Sequence, residues 1–228
     1  MTIPSRFQPP VTRPAAIIFD MDGVLVDSEP VHLEAVRCLL ADHGVDYPLQ
    51  HEENFYGCTD REVFRILKAR YGLAASEGDL ARAWIDRVVA LLPGRLGPMT
   101  GVPDVLRTLR QKGIRLALAS SSAPAIIATT LDQLGLKASF ELIVSGHDVA
   151  CGKPAPDIFL EAARRLGLAP ADCLVIEDSF NGLCAASAAG MPCVVVPCGS
   201  TAGQDFSGAT IRLRTLEELP RWLGEVQL

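Results

Sequence analysis

Five short apolar segments constrain this chain most: Ala15-Phe19, Ile114-Ala119, Leu142-Val144, Leu174-Ile176 and Cys193-Val196, each bounded by polar or glycine-containing turns. Apolar runs that do not alternate with polar residues suit strands covered on both faces, as in a parallel sheet. Between them, Val102-Gln111, Ala125-Leu134, Ile158-Leu166 and Leu183-Ala189 carry apolar residues three or four apart, the spacing of a single helix face. Strand and helix therefore alternate, which predicts an α/β fold built on a doubly wound parallel sheet. Functional residues of such a sheet gather outside the carboxyl ends of its strands.

One interval breaks the alternation. About 95 residues separate the first strand from the second, far more than one crossover helix needs. Helical patterns at Val31-Leu40, Arg61-Ala69 and Leu80-Leu91, with no comparable strand signal, predict a small all-helical cap domain inserted at 30–96. Its connections would be Ser28-Pro30 and Pro93-Pro98, the second punctuated by Gly94 and Gly97. The core then comprises 15–29 and 97–228. Residues 1–14, rich in proline and without an apolar stretch, are expected to be a disordered tail; two arginines and no acids leave organelle targeting as the alternative.

Composition narrows the function classes. A chain of 228 residues, 49% hydrophobic and 21% charged, can bury a substantial core. A net charge of −6 argues against nonspecific nucleic-acid binding, and no apolar run has the length of a membrane span. The seven cysteines, at 38, 58, 151, 173, 184, 193 and 198, form no CxxC pair and no zinc spacing. Their odd number and apolar settings suit a reduced, cytoplasmic protein. No signature of oligomeric state or of a macromolecular partner is present.

The chemistry is concentrated where predicted strands end. In Ile17-Ile18-Phe19-Asp20-Met21-Asp22-Gly23 a hydrophobic strand runs directly into two carboxylates, which a turn would also use. A second strand, Leu174-Val175-Ile176, ends in Glu177-Asp178. Four acids near one sheet edge are costly without a compensating charge, and magnesium, with its preference for hard oxygen ligands, would supply it. Asp178 is the preferred direct ligand, with Glu177 acting through water or by orienting another ligand. One oxygen of Asp20 would then be free to attack phosphorus, with Asp22 as general acid and then base. A third strand ends in Ser120-Ser121-Ser122, hydroxyls and amides suited to phosphate oxygens or to a helix cap. Lys153, in Gly152-Lys153-Pro154-Ala155-Pro156-Asp157, would neutralise nucleophile and phosphoryl group, though a lone loop lysine is ordinarily just solvated.

Taken together and in this order, the segments FDMDGVLVDS, the Ser120 cluster, GKPAPDIF and IEDSFNG resemble the motifs of the haloacid dehalogenase-like hydrolase superfamily across most of 15–200. The resemblance implies a Rossmann-like core and a helical cap that closes over substrate. It also implies Asp20 as nucleophile forming an aspartyl-phosphate, and Asp22 as acid/base. Ser120, Ser121 and Lys153 would hold the phosphoryl group. Mg2+ would be held by Asp20, Asp178, the backbone carbonyl of Asp22 and, indirectly, Glu177. The carboxylate at Asp22 favours phosphoryl over dehalogenase chemistry.

Within that branch the expected function is hydrolysis of a small phosphorylated metabolite, a sugar phosphate. A β-phosphoglucomutase-like hexose-phosphate mutase is the alternative, suggested by the placing of His32 after Asp20. That alternative is weakened because no lysine lies between Lys68 and Lys112 and the arginine segment Gly57-Cys58-Thr59-Asp60-Arg61 is shifted by one residue. His32 and Arg61 are candidate substrate contacts from the cap, each with a plain surface-helix alternative. Trp84, at helical spacing with Val88 and Leu91, reads as packing. A phosphorylatable receiver or a catalytically retired binding protein would share the acids, but not the large insertion or the full motif set.

Overall fold

The computed structural model describes residues 13–47, 55 and 59–225. The tail expected at 1–14 therefore lies, up to residue 12, outside the described residues, as does Gly57-Cys58 ahead of Arg61. Six parallel strands form one sheet: β1 (Ala16–Phe19), β2 (Arg115–Ser120), β3 (Leu142–Ser145), β4 (Cys173–Glu177), β5 (Cys193–Val195) and β6 (Ile211–Arg212). Their spatial order is β3-β2-β1-β4-β5-β6. The chain winds outward in one direction from β1 to β3 and in the other from β4 to β6, so a crevice opens at the carboxyl ends of β1 and β4.

Residues of β1 alternate between two apolar layers, as the pleat requires. Ile17 and Phe19 join one buried cluster, and Ala16 and Ile18 join the other. Helices α1 (Glu29–Asp42), α2 (Asp60–Tyr71) and α3 (Glu77–Leu91) follow β1, and α4 (Val102–Gln111), α5 (Pro124–Leu134), α6 (Asp157–Leu166), α7 (Phe180–Ala188) and α8 (Leu219–Glu225) complete the chain. The first cluster holds residues of α4, α5 and α8, and the second those of α6 and α7. Both faces of the sheet are thus covered, which explains why its strands read as continuous apolar runs. The edge strand β6 was not predicted; with two residues it is too short for any periodicity to register.

Helices α1 and α2 pack on α3, and α3 also meets α5 of the core. Phe64, Leu67, Leu80 and Val88 are buried between them, continuous with the cluster that holds Phe19. Local chemistry fixes the helix ends: Thr59 and Ser76 accept the amides of Glu62 and Asp79, and Gly72 closes α2 in the left-handed region. The two connections of this helical insertion touch each other. Val26 pairs with Pro98 in a single antiparallel bridge, and the amide of Met99 donates to the carbonyl of Leu25 at 2.9 Å. Among the described residues, no helix is long and apolar enough to cross a membrane.

Because Phe64 is fully buried between the helices of the insertion, Phe64→Ala should cost about 3–5 kcal/mol. Urea denaturation followed by circular dichroism measures this; a loss under about 1 kcal/mol would mean that Phe64 is not packed as described.

Candidate active site

Strand register assembles the site. Phe19 lies beside Leu118 of β2 and Ile176 of β4, so the next residues along, Asp20 and Glu177, emerge at the same level. Ser120 closes β2, and Lys153 enters from the loop before α6. Asp20, Ser120, Lys153, Glu177 and Asp178 are all buried. The ammonium of Lys153 donates to Asp20 Oδ1 at 2.5 Å and to Glu177 Oε1 at 2.6 Å, above the face of Phe159. The other oxygen of Glu177 accepts from the amides of Asp178 and Ser179 at 2.9 and 3.1 Å and from the Ser179 hydroxyl at 3.0 Å. Both Glu177 oxygens are therefore engaged, which suits positioning more than direct ligation.

Burial by itself would push Lys153 toward neutrality, but Asp20 and then Glu177 outweigh it and hold the ammonium above its ordinary range. Asp20 is driven well above the carboxylate range, by burial first and then by Glu177, Asp22 and Asp178, against the pull of Lys153. Asp178 is raised by burial and by Glu177. Burial is the first cause for both carboxylates, and an excess of negative charge adds to it. Three buried acids, Asp20, Glu177 and Asp178, face one buried base, Lys153. Oxygens of these three acids lie within 4.8 Å of one another. A hard-oxygen donor set with two uncompensated charges fits a divalent cation such as Mg2+.

Asp22 is different: its side chain is 32% exposed and points into the cavity rather than the core. Ser28 donates to Asp22 Oδ1, and Ser122 donates to Oδ2 at 2.9 Å. Ser28 occupies the N-cap position of α1, yet its hydroxyl does not cap that helix; it serves Asp22 instead. Ser120 is 3.4 Å from Asp22 Oδ2 and accepts the amide of Ser122 at 3.1 Å. Ser120 is fully buried at the end of β2, while Ser121 and Ser122 are the serines of this cluster that line the cavity. Two glycines permit the close approaches. Gly23 has φ +84° and a Cβ there would stand 2.1 Å from Asp178 Oδ2, while a Cβ on Gly182 would stand 1.8 Å from Glu177 Oε1.

The cavity, about 140 Å3, has Asp20, Asp22 and Asp178 at its base and His32, Val63, Asp60 and Trp84 on the wall provided by the insertion. His32 is in place, with Nε2 buried and 3.8 Å from Asp22 Oδ1. Trp84 packs as expected, 5.7 Å from the Phe64 ring, but it also lies 5.2 Å from the His32 ring, tilted by 55°, and lines the cavity. Arg61 is the clear correction. It is exposed and lines a separate groove with Glu62, Arg65 and the loop Cys151 to Ala155. Its neighbour Asp60 takes the cavity position, because one helical step rotates the side chain by about 100°. Cys198 and Thr201, from the loop after β5, were not foreseen; both donate to Asp178 Oδ2 at 3.2 Å. No strand-end carboxylate or glycine motif marked that loop.

Replacing Lys153 with Met should cost about 3–5 kcal/mol near neutral pH, since it leaves buried carboxylates without their cation. Urea denaturation at pH 7 checks it, and an unchanged midpoint would contradict the pairing. Asp20 and Asp178 are raised in the folded state, so without metal the stability they contribute is present below the ordinary value near 3.8 and is lost as pH rises through their folded values. A cation bound by their ionised forms should therefore raise the melting temperature more at about pH 8 than at about pH 5. Thermal denaturation with Mg2+ against chelator reads this directly; a larger increment at low pH would contradict it.

Comparison with known proteins agrees with this geometry. Residues 14–190 match the family model described as haloacid dehalogenase-like hydrolase. The chain is 37% identical over 214 residues to protein CbbY of Rhodobacter capsulatus, covering 88% of this chain and 93% of that one. It is 36% identical over 187 residues to fructose-1-phosphate phosphatase YqaB of Escherichia coli, covering 81% and 97%. The crystal structure of CbbY from Rhodobacter sphaeroides in complex with xylulose-(1,5)bisphosphate superposes with a TM-score of 0.80 at 32% identity, over 90% of this chain and 96% of that chain. With the acids, the lysine and the serines converging on one sheet edge, and with relatives matched over most of their length, this chain belongs to the haloacid dehalogenase-like hydrolase family.

Proposed function

We propose that the chain is a Mg2+-dependent phosphatase that hydrolyses a small phosphorylated metabolite, a sugar phosphate, through an aspartyl-phosphate on Asp20. The observation that carries this reading is the division between two aspartates two residues apart. Asp20 is buried and paired to Lys153 through one oxygen, whereas Asp22 faces the cavity between two hydroxyl donors. This division supports Asp20 as the attacking carboxylate and Asp22 as the group that moves protons. The names of relatives such as fructose-1-phosphate phosphatase support a sugar phosphate as the substrate.

In the first step an oxygen of Asp20 bonds to phosphorus as the ester P–O bond breaks, and protonated Asp22 delivers its proton to the leaving alkoxide. In the second, Asp22 takes a proton from water, whose oxygen bonds to phosphorus as the acyl-phosphate P–O bond breaks, freeing Asp20 and inorganic phosphate. Lys153, Ser120 and Ser121 balance and orient the phosphoryl oxygens. Asp20, Asp178 and the backbone carbonyl of Asp22 would hold Mg2+, which when bound would supply charge neutralisation at the transferring group. The helical insertion, 30–96, acts as a cap that excludes bulk water, hinged where Val26 meets Pro98. A reduced, cytoplasmic setting accords with free cysteines throughout the described residues.

Asp20→Asn should reduce phosphate release from sugar phosphates by at least about 1,000-fold with Mg2+ present, since it removes the nucleophile. Malachite-green detection of phosphate checks this, and turnover within about tenfold of the unaltered protein would sink the assignment.

A further inference from the structure

Asp60 is an unusual residue to find in the wall of a cavity that receives phosphate esters. It is the first residue of α2, and its side chain is only 4% exposed. Both carboxylate oxygens face the His147 ring, with Nε2 at 3.0 Å from Oδ1 and 2.9 Å from Oδ2. Oδ1 also accepts the amide of Arg61 at 2.8 Å. His147 belongs to the core, in the short 3-10 turn Gly146–Asp148 directly after β3. That turn lies flat on the Ser121 backbone, since a Cβ on Gly146 would stand 2.7 Å from the Ser121 carbonyl oxygen. The imidazole thus reaches from beside the phosphate-facing serines to brace a carboxylate on the opposite wall.

An acid in a helix's first turn is ordinarily a capping feature that favours the helix dipole. Such a residue needs neither burial nor a partner from another part of the chain, and Asp60 has both, at the cavity surface. The remaining wall offers no positive counterpart. His32 and Trp84 are its polar rings, Val36 and Val63 are apolar, and no Lys or Arg lines the cavity among the described residues. The stretch from Tyr47 to Asp60 contains neither Lys nor Arg.

We propose that Asp60, positioned by His147, selects the leaving group: it accepts a hydrogen bond from a hydroxyl of an uncharged, polyol-like leaving group and repels a second phosphate. This inference rests on the phosphatase reading above. A carboxylate has lone pairs left after meeting one imidazole N–H and one amide, so a substrate hydroxyl can donate to it. A second phosphate dianion would instead face an anion on a wall that, among the described residues, carries no Lys or Arg. The substrate class is therefore sugar or polyol monophosphates, in contrast to the bisphosphate bound by CbbY of Rhodobacter sphaeroides.

The test uses matched mono- and bisphosphates of one ketohexose, one aldohexose and one ketopentose, assayed with Mg2+ for phosphate release. Like-charge repulsion predicts that kcat/KM favours the monophosphate by at least about 30-fold in each hydrolysed pair, and that Asp60→Asn, which keeps a hydrogen bond to His147, narrows the preference by about tenfold. Calorimetric binding of the same pairs to the Asp20→Asn protein should show the same ranking. Bisphosphates used or bound within about threefold of the monophosphates, or a preference unchanged in Asp60→Asn, overturns the inference and leaves the phosphatase reading intact. If none of the esters is hydrolysed, the phosphatase reading fails instead, and calorimetry on the unaltered protein still decides whether the cavity discriminates against a second phosphate.

Discussion

The ammonium of Lys153, buried between Asp20 and Glu177, is the contact on which the rest of the site depends. It ties a loop from the far side of β3 to the carboxyl ends of β1 and β4, and Glu177 in turn collects the amides of Asp178 and Ser179. A buried lysine with no partner would lose its proton, and buried carboxylates with no partner would gain theirs. Asp20 and then Glu177 hold the proton on Lys153, while Asp20 itself is raised by burial and by the acids beside it, one base facing three acids. That deficit is stored in the fold itself. It gives the crevice an oxygen donor set that fits a divalent cation on electrostatic grounds alone.

Sheet geometry explains why such an arrangement persists. The strand order puts the reversal of winding between β1 and β4, and register brings Asp20 level with Glu177. The close approaches then leave no space for Cβ atoms at Gly23 and Gly182, where Asp178 and Glu177 already stand. Electrostatics and sterics therefore select the same few residues. Asp22 escapes the deep burial of its neighbour because the turn from Met21 to Val26 lifts it toward the cavity, where serines on either side hold it.

The helical insertion contributes a wall of a different character. Apolar side chains and the rings of His32, Phe55 and Trp84 accompany the braced carboxylate of Asp60 there, whereas the base of the cavity carries Asp20, Asp22 and Asp178. Contact between the two connections at Val26 and Pro98 places them side by side at the entrance. Ser28, at the start of α1, joins that entrance to Asp22.

Much of this was legible in the sequence. Buried strands ending in carboxylates are expensive, so Asp20, Asp22, Glu177 and Asp178 stood out, and apolar spacing marked α4, α5 and α6 to within a residue or two. Strand β6 was not legible, since two residues carry no period. Nor was it legible which of Ser120, Ser121 and Ser122 lines the cavity, because that depends on where β2 ends. Arg61 was misplaced for want of the phase of α2, which sets Asp60 toward the cavity and Arg61 away from it. The acidic strand ends and the apolar periods could be read residue by residue, because both are properties of neighbouring positions. The pairings of Lys153 with Glu177 and of His147 with Asp60 could not, because residues 24 and 87 positions apart meet only through packing and register.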